Sequence, residues 1–229
     1  MPFRMTKLKV ISFATYLTDI DVKWRNQDYT SHKIVKSLKR EEFQGYIPAR
    51  VDGKWRRLTT ENAADLHPTL HQIVAKELVE RFPDGATLVP IPNSHVVASD
   101  TDDFRTLEFA EGVRDASNEV LDSAPALVFS EALPKAHSGS GSRDPRFLQE
   151  KYKLLSKPES PVILIDDVYT SGGHLIAAAW VLRDQNINVS LACAWARTTD
   201  DRPEKVFAVV EDELELDRGI ADFRDFDFD

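Results

Sequence analysis

Apolar positions in this chain come in short bursts, and the spacing within them changes from burst to burst. Ala86 to Ile91 is a brief run rich in Leu, Val and Ile, suited to a strand buried on both faces. Before it, Pro68 to Phe82 sets Leu70, Ile73, Val74, Leu78 and Phe82 on one helical face. After it, Phe104 to Leu121 does the same with Leu107, Ala110, Val113, Ala116 and Val120. Ala126 to Phe129 and Val162 to Ile165 read as two more buried strands, followed by a helix from about Gly173 to Arg183. Val189 to Trp195 is a further strand, arriving after a crossover of the length a βαβ unit requires. Alternating strands and helices imply an α/β fold, a parallel β-sheet flanked by helices.

The flanks are patterned differently. Gly45 to Thr59 holds Asp52-Gly53 between two runs of β-formers, which predicts a β-hairpin. This hairpin carries Arg50, Lys54, Arg56 and Arg57. Leu133 to Arg146 is rich in Gly, Ser and Pro and has no periodicity, the mark of a functional or disordered loop. Asp222 to Asp229 alternates charged residues with Phe. The resulting division is a small N-terminal hood, 1–62, a core, 63–210, and an acidic extension, 211–229.

Charge follows the same division. The chain's net charge is -9. Residues 1–60 hold 13 bases and 6 acids, whereas 200–229 hold 12 acids and 4 bases. With 42% hydrophobic residues, 29% charged and 9 glycines, collagen-like, low-complexity and wholly disordered chains are excluded. Cys193 is the only cysteine, so an intrachain disulfide and a cysteine-rich zinc site are excluded as well. Val10 to Leu17 is interrupted by Ser and Thr and lacks a signal-peptide cleavage pattern. No other stretch reaches the roughly 18 apolar residues of a membrane helix. The expectation is a cytoplasmic protein without a membrane partner.

The candidate chemistry sits in Val162-Ile-Leu-Ile-Asp-Asp-Val-Tyr-Thr-Ser-Gly-Gly-His174. The chain contains six adjacent acidic pairs, so Asp166-Asp167 alone carries nothing. Four apolar residues running straight into the pair do, because burying an unpaired carboxylate costs several kcal/mol. The acids therefore belong at the carboxyl end of the strand, where open α/β sheets bind ligands. Thr170 and Ser171 then supply hydroxyls, Gly172 and Gly173 allow close backbone approach, and a helix begins with its positive end at the same spot. Carboxylates suit hydroxyl groups or a magnesium ion and the loop suits phosphate, which together describe a sugar phosphate.

Asp166 to His174 resembles the phosphoribosyl pyrophosphate (PRPP) loop of the type I phosphoribosyltransferases. The resemblance implies that Asp166 and Asp167 grip the ribose hydroxyls. It implies too that Val168, Tyr169, Thr170, Ser171, Gly172, Gly173 and His174 wrap the 5'-phosphate. Tyr169 stands where the family usually has a smaller aliphatic residue, and His174 where it has Thr or Ser. Leu88-Val-Pro-Ile-Pro-Asn-Ser-His95 is similar to the strand end of the ComF-like branch, which implies a pyrophosphate loop at Pro92, Asn93, Ser94 and His95. That branch's Arg-Gly-Phe-Asn motif is replaced by Thr101-Asp-Asp-Phe-Arg105. The Gly-Ser loop falls where the family carries a flexible active-site loop, with Lys135, His137 and Arg143 as its candidates.

The resemblance implies PRPP and an unidentified base or amine as ligands. Mg2+ comes with the PRPP, with Asp166 and Asp167 as its protein carboxylates, and a homodimer is admitted. His95, His137 and His174 are the nearest candidates for a base. The alternative is a non-catalytic PRPP- or nucleotide-sensing or DNA-processing accessory protein, with nucleic acid bound through the basic hood as the lesser reading. His67 and His71, four apart, lack a third metal ligand. Trp180 and Trp195 fit core positions; Trp24 and Trp55 could line a base-binding hood by stacking, but core packing is expected for them too.

Overall fold

Three of the four expected core strands, at Ala86, Val162 and Val189, lie in one six-stranded sheet in the computed structural model, which describes residues 6–133, 143–159 and 161–217. The elements in chain order are β1 (Lys7–Leu17), α1 (Asn26–Leu38), β2 (Ile47–Val51), β3 (Lys54–Leu58), a 3-10 turn (Ala63–Leu66), α2 (His67–Arg81) and β4 (Ala86–Pro90). They continue with α3 (Arg105–Ala116), β5 (Leu121–Ser123), β6 (Leu127–Phe129), α4 (Pro145–Lys151), β7 (Tyr152–Leu154), β8 (Val162–Tyr169), α5 (Gly173–Asp184), β9 (Val189–Thr199) and β10 (Phe207–Glu215). The sheet order is β10-β1-β9-β8-β4-β5. All neighbours are parallel except β10, which runs antiparallel to β1.

Side-chain alternation along the strands divides the core in two. Ile163, Ile165, Leu191 and Cys193 face the layer of α1, α2 and α3. Val162, Leu164, Ala192 and Ala194 face α5, together with Phe129, Leu148 and Tyr152 from β6, α4 and β7. Burial raises the Cys193 thiol far above its ordinary value, leaving it an inert apolar residue. No helix among the described residues is long and apolar enough to cross a membrane.

Three segments differ from the sequence reading. β6 is buried as expected but pairs antiparallel with β7 in a separate two-stranded sheet. Only three residues separate it from β5, too few for the crossover that a parallel partner needs. β1 is a strand of the central sheet, although it lies in the basic head. β10 joins it from the acidic end, so the two opposite charge runs meet across one ladder. Lys7 lies 2.9 Å from Glu213, Lys9 2.9 Å from Glu211, and Arg81 of α2 2.8 Å from Glu211. These exposed pairs contribute little stability each. They match a register in which β10 turns Asp212 and Leu214 to the opposite, α5, face.

The hairpin forms where Asp52-Gly53 predicts it. Both turn residues have positive φ, 50° and 75°, as a two-residue primed turn requires.

Candidate active site

β4 and β8 are neighbours, yet the chain leaves β4 through α3 toward β5 on one side and leaves β8 through α5 toward β9 on the other. A crevice opens at such a reversal, outside the carboxyl ends of the two strands. The segments bordering it are Ile91–His95 after β4 and Asp166–Gly173 at the end of β8.

β8 extends four residues beyond Ile165, because Asp166, Val168 and Tyr169 pair with Ala194, Ala196 and Arg197 of β9. The two acids are therefore successive strand residues, both half-buried, and they open onto different cavities. Asp166 lines a small cavity of about 40 Å³ with Thr170, Ser171, Gly172 and Arg143. Asp167 lines a cavity of about 140 Å³ with Arg40, His67, His71, Arg105 and Glu108. The Asp167 N–H donates to Asp166 Oδ1 at 2.8 Å, and the Val168 N–H to Asp167 Oδ1 at 2.7 Å. Burial, and next the charge of Asp167, push the Asp166 carboxyl well above the usual carboxylate range. Among the described residues neither acid has an ion-pair partner.

The loop after the acids is shaped by its glycines. Gly172 caps α5 in the left-handed region, φ 76°, and its carbonyl accepts from the Ile176 N–H at 2.9 Å. A Cβ here would meet Leu214 of β10 at 2.5 Å. At Gly173 a Cβ would lie 2.1 Å from the Arg143 carbonyl oxygen, so only glycine admits that strand of backbone. The amides of Gly173, His174 and Leu175 lie in the first turn, without intrahelical acceptors. They line the Asp166 cavity at the positive end of α5. Thr170 and Ser171 are exposed there.

The His174 ring points elsewhere. It packs edge-on to Phe129, centroids 6.0 Å apart, and its Nδ1 lies 3.2 Å from the Tyr152 hydroxyl. Burial, and then the Arg143 charge, lower its pKa to about 4. The ring is held with Phe129 and Tyr152 on the α5 side and its lowered pKa favours the neutral imidazole, while its backbone N–H lies at the loop. Val168 packs against the α1–α3 core and Tyr169 against the α5 core.

Tyr169 explains its own departure from the small aliphatic residue expected there. Its hydroxyl donates to Asp212 of β10, whose carboxylate also accepts from Arg197 Nη1 at 2.9 and 3.1 Å. With Leu214 against Gly172, β10 thus braces both ends of the loop. Asp212 and Leu214 were not singled out from sequence. Burial alternates strictly along Phe207–Glu215, with the even-numbered residues on the more covered face, but the residue types do not alternate, so no sequence signal marked them.

The segment after β4 is held by Asp103. Asn93 Nδ2 donates to the Asp103 carbonyl at 3.0 Å, His95 Nε2 lies 3.5 Å from its carboxylate, and Arg40 donates to that carboxylate and to Glu108. Pro92 is buried, Asn93 and Ser94 are half-buried and His95 is exposed. Arg105 donates to the Lys39 carbonyl at 2.6 Å, while its buried Nε–H has no partner among the described residues. The stretch that replaces Arg-Gly-Phe-Asn thus supplies an anchor, Asp103, and a buried donor, Arg105. Burial lowers the pKa of both His67 and His71, the latter to about 4, and His67 Nε2 lies 2.9 Å from Ser37 Oγ. Lys135 and His137 lie outside the described residues. Trp180 and Trp195 are buried, but Trp55 on the hairpin is 77% exposed, contrary to the core packing expected of it. On a two-stranded ribbon it borders an open groove with Leu70 and Ile73 of α2 and is left largely uncovered.

No protein-family model and no curated protein sequence matches this chain. Among solved structures the chain is similar to the orotate phosphoribosyltransferase of Aeropyrum pernix, at 15% identity and a TM-score of 0.36, covering 73% of this chain and 81% of that one. It is also similar to the adenine phosphoribosyltransferase of Trypanosoma brucei, at 10% identity and a TM-score of 0.37 over 80% and 87% of the two chains. A hypoxanthine phosphoribosyltransferase from Staphylococcus aureus aligns at 10% identity and a TM-score of 0.33, over 60% and 69%.

Proposed function

We propose that this chain binds PRPP with Mg2+ and transfers the phosphoribosyl group to a nitrogen nucleophile, a base or an amine, with release of pyrophosphate. The observation that carries the reading is the continuity of β8. Two carboxylates, without ion-pair partners among the described residues, lie in the last half of a central strand at the sheet's reversal point and lead, through Val168–Gly173, into a helix N-terminus. A ribose 5-phosphate has the complementary order of groups, hydroxyls and then phosphate.

In this reading Asp166 and Asp167 accept hydrogen bonds from the ribose hydroxyls, and the amides at the start of α5 donate to the 5'-phosphate. Departure of pyrophosphate builds positive charge on the ribose. The chain contributes mainly by holding the reacting carbon in place beside two carboxylates, which favour that charge. Asn93–His95 and the donors of Arg40 and Arg105 lie on the side where the diphosphate would leave. Mg2+, when bound, neutralises diphosphate charge. No group of three or more His, Cys, Asp or Glu able to hold a metal occurs among the described residues. Asp166 and Asp167, which have no ion-pair partner among the described residues, are the carboxylates that would face an ion carried on PRPP. The reading places the chain nearest the ComF-like branch, on Leu88–His95, and in the cytoplasm.

The test is incubation with PRPP, Mg2+ and a panel of purines, pyrimidines and amines, with pyrophosphate release followed continuously. Release with one acceptor class, abolished by Asp166→Asn, supports transfer. Tight PRPP binding without release from any acceptor favours the sensing alternative, and absence of both contradicts the reading.

A further inference from the structure

The hairpin leaves one of its two sides open. In its register Pro48 lies opposite Arg57 and Arg50 opposite Trp55, so alternation sets these four residues on the same side of the ribbon. All four are exposed, Trp55 at 77%. Tyr46 joins them, because the Arg57 guanidinium lies over its ring, 4.9 Å from the centroid. α1 continues the surface: Tyr29, Lys33 and Lys36 follow one another on one helical face, with Tyr29 51% exposed. Lys33 Nζ donates to the Tyr46 carbonyl at 3.1 Å and so joins helix to ribbon.

The cations of this surface are not neutralised within the described chain. The glutamates of β10 are met by Lys7, Lys9 and Arg81, and Arg56, on the other side of the ribbon, lies 3.4 Å from Asp65. Lys33, Lys36, Arg50 and Arg57 have no carboxylate partner among the described residues. Lys33, Lys36 and Arg50 donate instead to the carbonyls of Tyr46, Glu42 and Gly53, at 3.1, 3.2 and 3.0 Å, which positions them and leaves their charge uncompensated. Exposed rings interleaved with unpaired cations suit a ligand in which planar bases alternate with phosphates. In a duplex the base faces are covered by stacking, so the rings select a single strand.

We propose that this face, from Tyr29 on α1 to Trp55 on the hairpin, binds single-stranded nucleic acid, with bases stacked on Trp55 and Tyr29 and phosphates held by Lys33, Arg50 and Arg57. The site is independent of PRPP binding and of the acids on β8.

The experiment is a fluorescence-anisotropy titration of a labelled oligothymidylate of about ten nucleotides with the full chain, repeated over a series of salt concentrations. Binding should saturate at low salt. The logarithm of the binding constant should fall with that of salt at a slope of about −2, about −0.7 for each phosphate met by Lys33, Arg50 and Arg57. Trp55→Ala, at an exposed position that the fold does not need, should weaken binding about tenfold and leave the slope unchanged. Arg50→Gln combined with Arg57→Gln should reduce the slope to about −0.7. The same oligomer annealed to its complement should bind at least about tenfold more weakly. Absence of binding at low salt overturns the proposal, as does undiminished binding by Trp55→Ala that melts like the parent. Duplex bound as tightly as the single strand overturns it too, since phosphates alone would then be read.

Discussion

Asp212→Ala tests whether β10 braces the loop. The carboxylate accepts two bonds from Arg197, at 2.9 and 3.1 Å, and one from the Tyr169 hydroxyl. Its removal leaves a guanidinium whose Nε is already buried without a partner and a phenol in a residue only 7% exposed. Breaking a fully buried ion pair costs about 3–5 kcal/mol and an exposed one about 0–1. With the two side chains 33% and 29% exposed, the expected loss is about 2 kcal/mol, between those limits. For a chain of 229 residues this lowers Tm by about 4–8 °C. Tyr169→Phe keeps the ring and deletes only the hydroxyl, for a loss of about 1 kcal/mol. Burial, and then the Asp212 bond, hold the Tyr169 phenol protonated far beyond its usual range, so this pattern should persist across neutral and mildly alkaline pH. Thermal melts of the two single variants and the double variant give the coupling. An Asp212→Ala melt within about 1 °C of the parent, or single effects that simply add, would refute the brace.

Three further outcomes follow from the same geometry. Asp166→Asn should stabilise the ligand-free protein at pH 7: the folded Asp166 value is raised, so the native carboxylate favours folding only while protonated and loses that contribution as pH rises through its folded value. Denaturant midpoints of parent and variant should accordingly converge on acidification, and a less stable variant at pH 7 contradicts the assignment. His174 falls from 6.5 to about 4 on folding, so its stabilisation is complete above about 6.5 and is lost as pH falls toward 4, a loss of up to about 3 kcal/mol. His174→Phe should remove this part of the acid sensitivity, leaving the share due to His32, His67 and His71, and an unchanged stability–pH curve would count against the buried, neutral ring. Gly173→Ala, with its Cβ 2.1 Å from the Arg143 carbonyl, should cost about 1–3 kcal/mol by overpacking; urea denaturation showing no loss would mean that the backbone of Arg143 yields freely.

The parts of the fold written in local patterns were legible. β4, α2, α5 and β9 follow from runs and helical faces, and the hairpin from Asp52-Gly53. The start of α5 at Gly173 was legible from the paired glycines, whereas the continuation of β8 past the two acids through Val168 and Tyr169 was not. What escaped depends on distant partners. Nothing near Phe207 says that its strand will pair with Lys7–Leu17, and Tyr169 meets Asp212 only through that pairing. β6 reads as any buried strand, and its antiparallel partner β7 is hidden beside the unpatterned Gly-Ser stretch. His174 lies in the motif by sequence but turns its ring into the core, since a helix residue beside the first turn has Phe129 and Tyr152 within reach. Arg105 became visible as a buried donor only once Lys39 was placed next to it.

The central claim rests on Asp166 and Asp167 as ribose ligands, and calorimetric titration with PRPP and Mg2+ measures it directly on the parent, Asp166→Asn and Asp167→Asn. Hydrogen bonds from hydroxyls to charged acceptors contribute about 1.5–3 kcal/mol each. Each substitution should therefore weaken PRPP by about tenfold to a hundredfold, with folding verified by thermal melting. Should both folded variants bind PRPP as the parent does, the acids are not ribose ligands and the assignment of the site is contradicted.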